Sequence, residues 1–127
     1  MMQTETRTAP AAFDLAAMKR AIEGRDAEAL IGLYAEDAEM EIVDRDRPPS
    51  APMRLVGRQA IETHLRDVCG RAMTHSVSDE VAGDGKAAFV ERCAYPDGCN
   101  VVAAMTLQTR DGRIVRHLTV QAWDNVS

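Results

Sequence analysis

Aromatic side chains are scarce in this chain: two Phe, two Tyr and one Trp among 127 residues. Its core must therefore be filled mainly by aliphatic residues and methionine. Cysteine is nearly as rare. Cys69, Cys93 and Cys99 form no CxxC or other metal-ligand spacing, which excludes a cysteine-based zinc framework. Their odd number, with no apolar leader, implies reduced thiols and a cytoplasmic location. No run approaches the roughly 18 apolar residues that a membrane-spanning helix needs. An excess of basic charge is also missing: the formal net charge is −5, which argues against nucleic acid or an anionic membrane as partner. Arg45, Arg47, Arg54 and Arg58 do cluster, but Asp44 and Asp46 interrupt them, the pattern of a solvated loop. The three histidines, His64, His75 and His117, show neither HxH nor HExxH spacing, so no metal site is expected. No repeat or low-complexity segment is present.

What the chain has is periodicity. Its length suits one domain over 10–127, preceded by a loose polar tail over 1–9. Pro10 stands where a first helix can begin. Phe13, Ala17 and Ala21, with the parallel row Leu15, Met18 and Ile22, give that helix a broad apolar face, and Gly24 suits its end. Asp26 is a good N-cap for a second helix, in which Leu30, Leu33 and Tyr34 fall at i, i+3 and i+4. After Asp37 the period becomes two: Met40 and Ile42 share one face of a strand, and Glu39, Glu41 and Val43 the other. Pro48, Pro49 and Pro52 interrupt regular structure before a short strand at Met53–Val56. A third helix over about 58–70 carries Ile61, Leu65 and Val68 as its stripe, with His64 beside them. Four extended runs follow, at about 73–82, 86–95, 99–109 and 114–123. Asp84-Gly85, Asp97-Gly98 and Asp111-Gly112 separate them as hairpin signals. Helices first and an antiparallel meander afterwards make an α+β chain with helices on one face of a sheet.

The motif Asp26-x-x-x-Leu30-x-x-Leu33-Tyr34-Ala35-x-Asp37-Ala38, then a strand, then Gly57-x-x-Ala60-Ile61 and four strands, resembles the NTF2-like superfamily. Within it the order is most similar to the SnoaL-like and ketosteroid isomerase branch. The resemblance spans about residues 12 to 124 and rests on order and spacing more than on any single motif. It implies a cone-shaped, cystatin-like α+β barrel. Three N-terminal helices would pack on a strongly curved, mostly antiparallel sheet around an apolar pocket. It also implies a homodimer through the outer sheet face. Ketosteroid isomerases use a tyrosine, an aspartate base and a protonated aspartate donor, and those three roles fall at Met18, Ile42 and Thr106 here. Met and Ile cannot transfer a proton, and Thr106 can donate only one hydrogen bond. Steroid isomerisation by that mechanism is therefore not expected.

The same register, with strand alternation, predicts which side chains face the pocket. Met18, Met40 and Ile42 are placed there, with Asp44 at the rim and His64 from the third helix. The strand ending in Tyr95 presents Phe89, Glu91, Cys93 and Tyr95. The next presents Val102, Ala104, Thr106 and Gln108, and the last presents His117, Thr119, Gln121 and Trp123. A one-residue slip would invert any of these sets. His117 is a candidate general acid or base because imidazole changes charge near neutral pH; the alternative is a histidine hydrogen-bonded in the barrel or at a dimer interface. His64 has the same two readings. Glu91 among apolar neighbours is a candidate base, with His117 or His64 as its partner. Asp44 is a further candidate, or a solvated loop carboxylate. Cys93 reads as a small core residue rather than a nucleophile.

Three functions follow. The first is cofactor-free acid/base catalysis, of isomerase, cyclase, dehydratase or hydrolase type, on a small apolar carbonyl compound. Met18, Met40, Ile42, Cys93, Tyr95, Thr106, Gln121 and Trp123 would contact the substrate. The second is a binding module that holds a small apolar ligand without chemistry. The third is a dimerisation scaffold whose cavity is filled by Phe89, Met105 and Trp123.

Overall fold

The computed structural model describes residues 12–124; the predicted tail over 1–9 and the helix start at Pro10 lie outside them. Helix α1 (Leu15–Glu23) begins at Asp14, whose carboxylate accepts the Ala17 N–H at 2.9 Å, satisfying one of the unpaired donors of the first turn. Met18, Ala21 and Ile22 form its buried face. Its last residue, Glu23, accepts the Val77 N–H at 2.9 Å, fastening the helix to a strand 54 residues away. Helix α2 (Ala27–Ile31) is capped in the same way by Asp26 and ends at Gly32. Leu33 and Tyr34, predicted as its continuation, leave the helix, and strand β1 (Tyr34–Val43) starts at Tyr34 rather than after Asp37. The i, i+3, i+4 pattern was real, but only five residues of it are helical.

Strands β2 (Met53–Val56), β3 (Thr74–Gly83), β4 (Lys86–Ala94), β5 (Asn100–Arg110) and β6 (Arg113–Trp123) complete the sheet, with helix α3 (Arg58–Cys69) between β2 and β3. The order is β2-β1-β6-β5-β4-β3. Among the described residues only β1 and β6 run parallel, and the other strand pairs are antiparallel. The edges β2 and β3 do not pair, so the curved sheet stays open and the helices cover its concave face. Two hairpin turns place Gly85 and Gly112 at φ 70° and 79°, a region open to glycine at little cost. The largest fully buried side chains are Tyr34, Met18, Ile61, Leu107 and Ile114. Each of the four aliphatic members contributes about 1.5–3 kcal/mol by leaving water.

Two register features decide which side chains face inward. Antiparallel partners share a face. Glu91 pairs with Ala103, and Phe89 with Met105. Val101, Ala103, Met105 and Leu107 are therefore the inward set of β5. Val102, Ala104, Thr106 and Gln108, predicted to face the pocket, are exposed on the outer face. The slip arose where Val101-Val102-Ala103-Ala104 offers two apolar phases and alternation cannot choose between them. The second feature is a bulge in β3. Pairing runs Gly83 with Lys86 and Val81 with Ala88, then shifts by one residue so that Ser78 meets Val90 and His75 meets Cys93. Asp79, at φ 58°, sits inside the shift. Without the extra residue, His75 would face Ala94 and point outward. The bulge turns it in.

Candidate functional site

A cavity of about 380 Å³ lies between the helices and the concave face of the sheet. Met18, Met40, Ile42, Asp44, His64, Glu91, Cys93, Tyr95, His117, Gln121 and Trp123 all line it. Thr106 does not; it belongs to the outer face, and the substrate contact predicted for it is corrected. Phe89, Met105 and Trp123 leave this space unfilled. Tyr34, His75 and Thr119 add further polar groups to its wall.

One polar cluster sits where β1 meets β6. His117 is 5% exposed, and both of its ring nitrogens are engaged. Tyr34 Oη lies 2.7 Å from Nδ1 and Thr119 Oγ1 lies 3.0 Å from Nε2. Tyr34 reaches this point because β1 is irregular between Tyr34 and Glu39, so Tyr34, Ala35 and Ala38 are all buried. Burial, reinforced by nearby His64, pushes the His117 pKa down to about 3, so the ring is neutral at ordinary pH. Burial, then the charge of Glu91, holds the Tyr34 phenol far above its usual value. The cluster is thus an uncharged hydroxyl–imidazole–hydroxyl chain. If Tyr34 donates to Nδ1, Nε2–H donates to Thr119 and frees the threonine proton for a ligand. In the other tautomer the Tyr34 proton is freed instead. Either way the chain presents one hydrogen-bond donor.

The second cluster joins β3 and β4. Glu91 Oε2 lies 2.5 Å from His75 Nδ1 and accepts the Cys93 thiol at 3.1 Å. Cys93 Sγ and His75 Nδ1 are 3.4 Å apart. The side chains of His75 and Glu91 are 3% and 8% exposed. Glu91 does pair with a histidine, but with His75 rather than His117 or His64. Burial, then the neighbouring carboxylate, raises the Cys93 thiol well above its normal range, so it is a thiol and not a nucleophile. Glu91 stands in one cross-strand row with Ala103 and Gln121, and Thr119 and His117 lie two and four residues back from Gln121 along β6. Two strand spacings of about 4.8 Å and a rise of about 3.3 Å per residue therefore put the backbone of Thr119 more than about 10 Å from that of Glu91. The small Ala103 side chain between Glu91 and Gln121 leaves room for a ligand.

The remaining candidates sit nearer the mouth. Asp44 is occupied by Arg47, whose guanidinium lies 3.0 Å away, and by the N–H groups of Asp46 and Arg47. It is a loop-building carboxylate rather than a free base. His64 lines the cavity, its pKa lowered by burial and then by the Arg71 charge. Tyr95 and Trp123 stack with centroids 5.8 Å apart, Arg45 lies 4.3 Å over the Trp123 ring, and Arg71 donates to the Tyr95 hydroxyl at 3.2 Å. These contacts form a cation–π rim around the entrance.

Sequence reasoning missed Tyr34 as a polar partner because it fitted a helical stripe, and His75 because its inward face depends on the bulge. Thr119 was legible from alternation with His117.

Known structures share this architecture. An NTF2-like protein of unknown function from Mesorhizobium loti superposes with a TM-score of 0.76 at 21% identity, over 85% of this chain and 87% of that one. A proposed ketosteroid isomerase from Kribbella flavida gives 0.71 at 20% identity, over 89% and 76%. These identities show a common fold. No curated protein matches the sequence. Residues 15–117 match the SnoaL-like domain, a span that takes in all three helices, β1 to β5 and the start of β6 as far as His117. The chain therefore belongs to the SnoaL-like family and shares the fold of NTF2-like proteins.

Proposed function

We propose that the cavity takes a small, mostly apolar carbonyl compound and moves a proton on it without a cofactor. The observation that carries this reading is Glu91, a carboxylate 6% exposed in the cavity wall and anchored by His75. A carboxylate desolvated beside an apolar substrate is a competent proton acceptor. Glu91 removes the proton on the carbon next to the carbonyl. The electron pair shifts to oxygen, which takes a hydrogen bond from the donor end of the Tyr34–His117–Thr119 chain. Return of the same proton to a different carbon completes an isomerisation; its delivery to the oxygen of a β-hydroxyl, which leaves as water while the enolate pair forms the new C=C bond, completes a dehydration. Met18, Met40 and Ile42 supply the apolar contact, and the Tyr95–Trp123 rim covers the entrance.

The test is incubation with a panel of small enones, β-hydroxyketones and lactones, with products separated by chromatography. Conversion of at least one compound, lost in Glu91→Gln, supports the reading. A second reading, a binding module without chemistry, is favoured by the saturation of both His117 nitrogens. Saturable binding with no product from any compound would establish it instead.

We also propose that the outer sheet face pairs with a second copy of the chain. Val102 and Val120 are 41% and 45% exposed there, flanked by their cross-strand partners Ala122 and Ala104. A monomer in sedimentation at tens of micromolar would overturn this.

A further inference from the structure

We propose that His75, Glu91 and Cys93 form a site for a thiophilic divalent cation, zinc being the natural occupant, on the cavity wall. The inference goes beyond the proton-transfer reading and does not depend on it. Three donors of different type lie within 4.8 Å of one another: an imidazole nitrogen, a carboxylate oxygen and a sulfur. Imidazole with thiolate selects zinc and its neighbours, whereas calcium and magnesium require sets made of oxygen.

The geometry is close to that of a tetrahedral ion. Bond lengths of about 2.0–2.3 Å place the donor atoms about 3.3–3.6 Å apart. The sulfur already stands 3.4 Å from Nδ1 and 3.1 Å from Oε2. The His75–Glu91 contact, at 2.5 Å, must open by about 1 Å, and the Cys93–Glu91 contact, at 3.1 Å, by a few tenths of an ångström on that geometry. Placement of the donors is fixed by the backbone. Glu91 and Cys93 are two apart on β4 and share a face, and the bulge at Asp79 sets His75 directly opposite Cys93. The three ligands use three of the four positions. The cavity that all three line offers the fourth to water or a ligand atom, as in catalytic rather than structural zinc sites. On binding, the Cys93 proton leaves to solvent and the thiolate bonds the ion, while His75 binds as the neutral tautomer with its proton on Nε2, any Nδ1 proton exchanging to Nε2 through solvent, so that the Nδ1 lone pair faces the ion. No spacing rule exposes this set, because its members come from two strands and meet only through register.

Because the ion would hold the Glu91 oxygen, zinc binding and proton abstraction by Glu91 exclude one another. The cluster is then also the point at which zinc would silence the chemistry proposed above.

The experiment is titration of the full chain, reduced and freed of chelators, with cobalt(II) as the optical probe, followed by zinc displacement. Binding of a single cobalt per chain should produce a thiolate-to-cobalt charge-transfer band that zinc abolishes. His75→Ala and Cys93→Ser should lose the band, with affinity falling by more than about 100-fold, since even supporting residues of such sites cost 10–100-fold. Cys69→Ser combined with Cys99→Ser should keep it. Should Cys93→Ser fail to fold, the wild type and the Cys69/Cys99 double variant still decide. Absence of a thiolate band in the wild type, or its disappearance in the double variant, overturns the site. None of these readouts involves a substrate, so failure of the metal site and failure of the proton-transfer reading are told apart.

Discussion

The two polar clusters of the cavity each join three side chains, yet they differ in what they can give a ligand. Tyr34, His117 and Thr119 form a chain of neutral groups at the closed junction of β1 and β6, where burial drives the imidazole to its uncharged state. His75, Glu91 and Cys93 converge on one carboxylate oxygen, on two strands whose mutual register is set by a bulge. The first can donate a hydrogen bond but holds no charge to move a proton far. The second can accept a proton or a cation. The comparison teaches that a buried histidine is not by itself a catalytic base. His117 was the more conspicuous residue in the sequence, and its environment makes it a neutral link between two hydroxyls, one of which is left to donate.

Several substitutions break or sharpen this contrast. The largest effect is expected from Glu91→Gln, which keeps the shape of the charged cluster but removes its basic oxygen. Conversion of a responsive substrate should fall by about 10²–10⁴-fold, the usual contribution of general acid/base catalysis. An effect of similar size from Thr119→Val alone would reverse the roles assigned to the two clusters. Next comes Tyr34→Phe, which leaves His117 Nδ1 buried without its partner. Unfolding in urea should show a loss of about 1–3 kcal/mol, the cost of an orphaned buried polar group.

The neutral cluster also predicts an acid dependence. The unfolded His117 protonates near its ordinary value of 6.5, whereas the folded one stays neutral down to about 3. Its contribution is complete above pH 6.5 and is lost as the pH falls toward 3. Between pH 6.5 and about 5 that loss comes to about 2 kcal/mol, at 1.36 kcal/mol per pH unit. Between pH 6.5 and 5, His117→Gln should lose less stability than the wild type by that amount; equal losses would mean that His117 charges within the fold. The smallest effect belongs to Thr106→Val on the outer face, which should change stability by less than about 0.5 kcal/mol and leave ligand affinity in the cavity unaltered.

Much of the architecture was legible because it rests on local chemistry. Asp14 and Asp26 cap their helices as polar N-cap residues do, and the three Asp-Gly pairs mark the hairpins of the meander. Met40, Ile42, Cys93 and His117 followed from alternation on strands with one polar and one apolar face. The failures have a common physical origin in long-range register. Val101 to Ala104 carries no phase of its own, so β5 takes its phase from β4, and Thr106 turns out rather than in. His75 faces the cavity only because Asp79 adds one residue to β3. Tyr34 satisfied a helical spacing that Gly32 had already ended. A single sequence shows periods well and pairings poorly, and the polar clusters of this cavity are made by pairings.

The central claim is that Glu91, anchored by His75, is the proton acceptor of this cavity. It is tested most directly by proton–deuterium exchange at the carbon next to a carbonyl, followed by NMR in deuterated buffer with a panel of small apolar ketones. The wild type should accelerate exchange on at least one ketone that the cavity binds, and Glu91→Gln should abolish that acceleration while still binding the compound. Exchange that persists undiminished in Glu91→Gln, or bound ketones whose protons never exchange, would contradict the account.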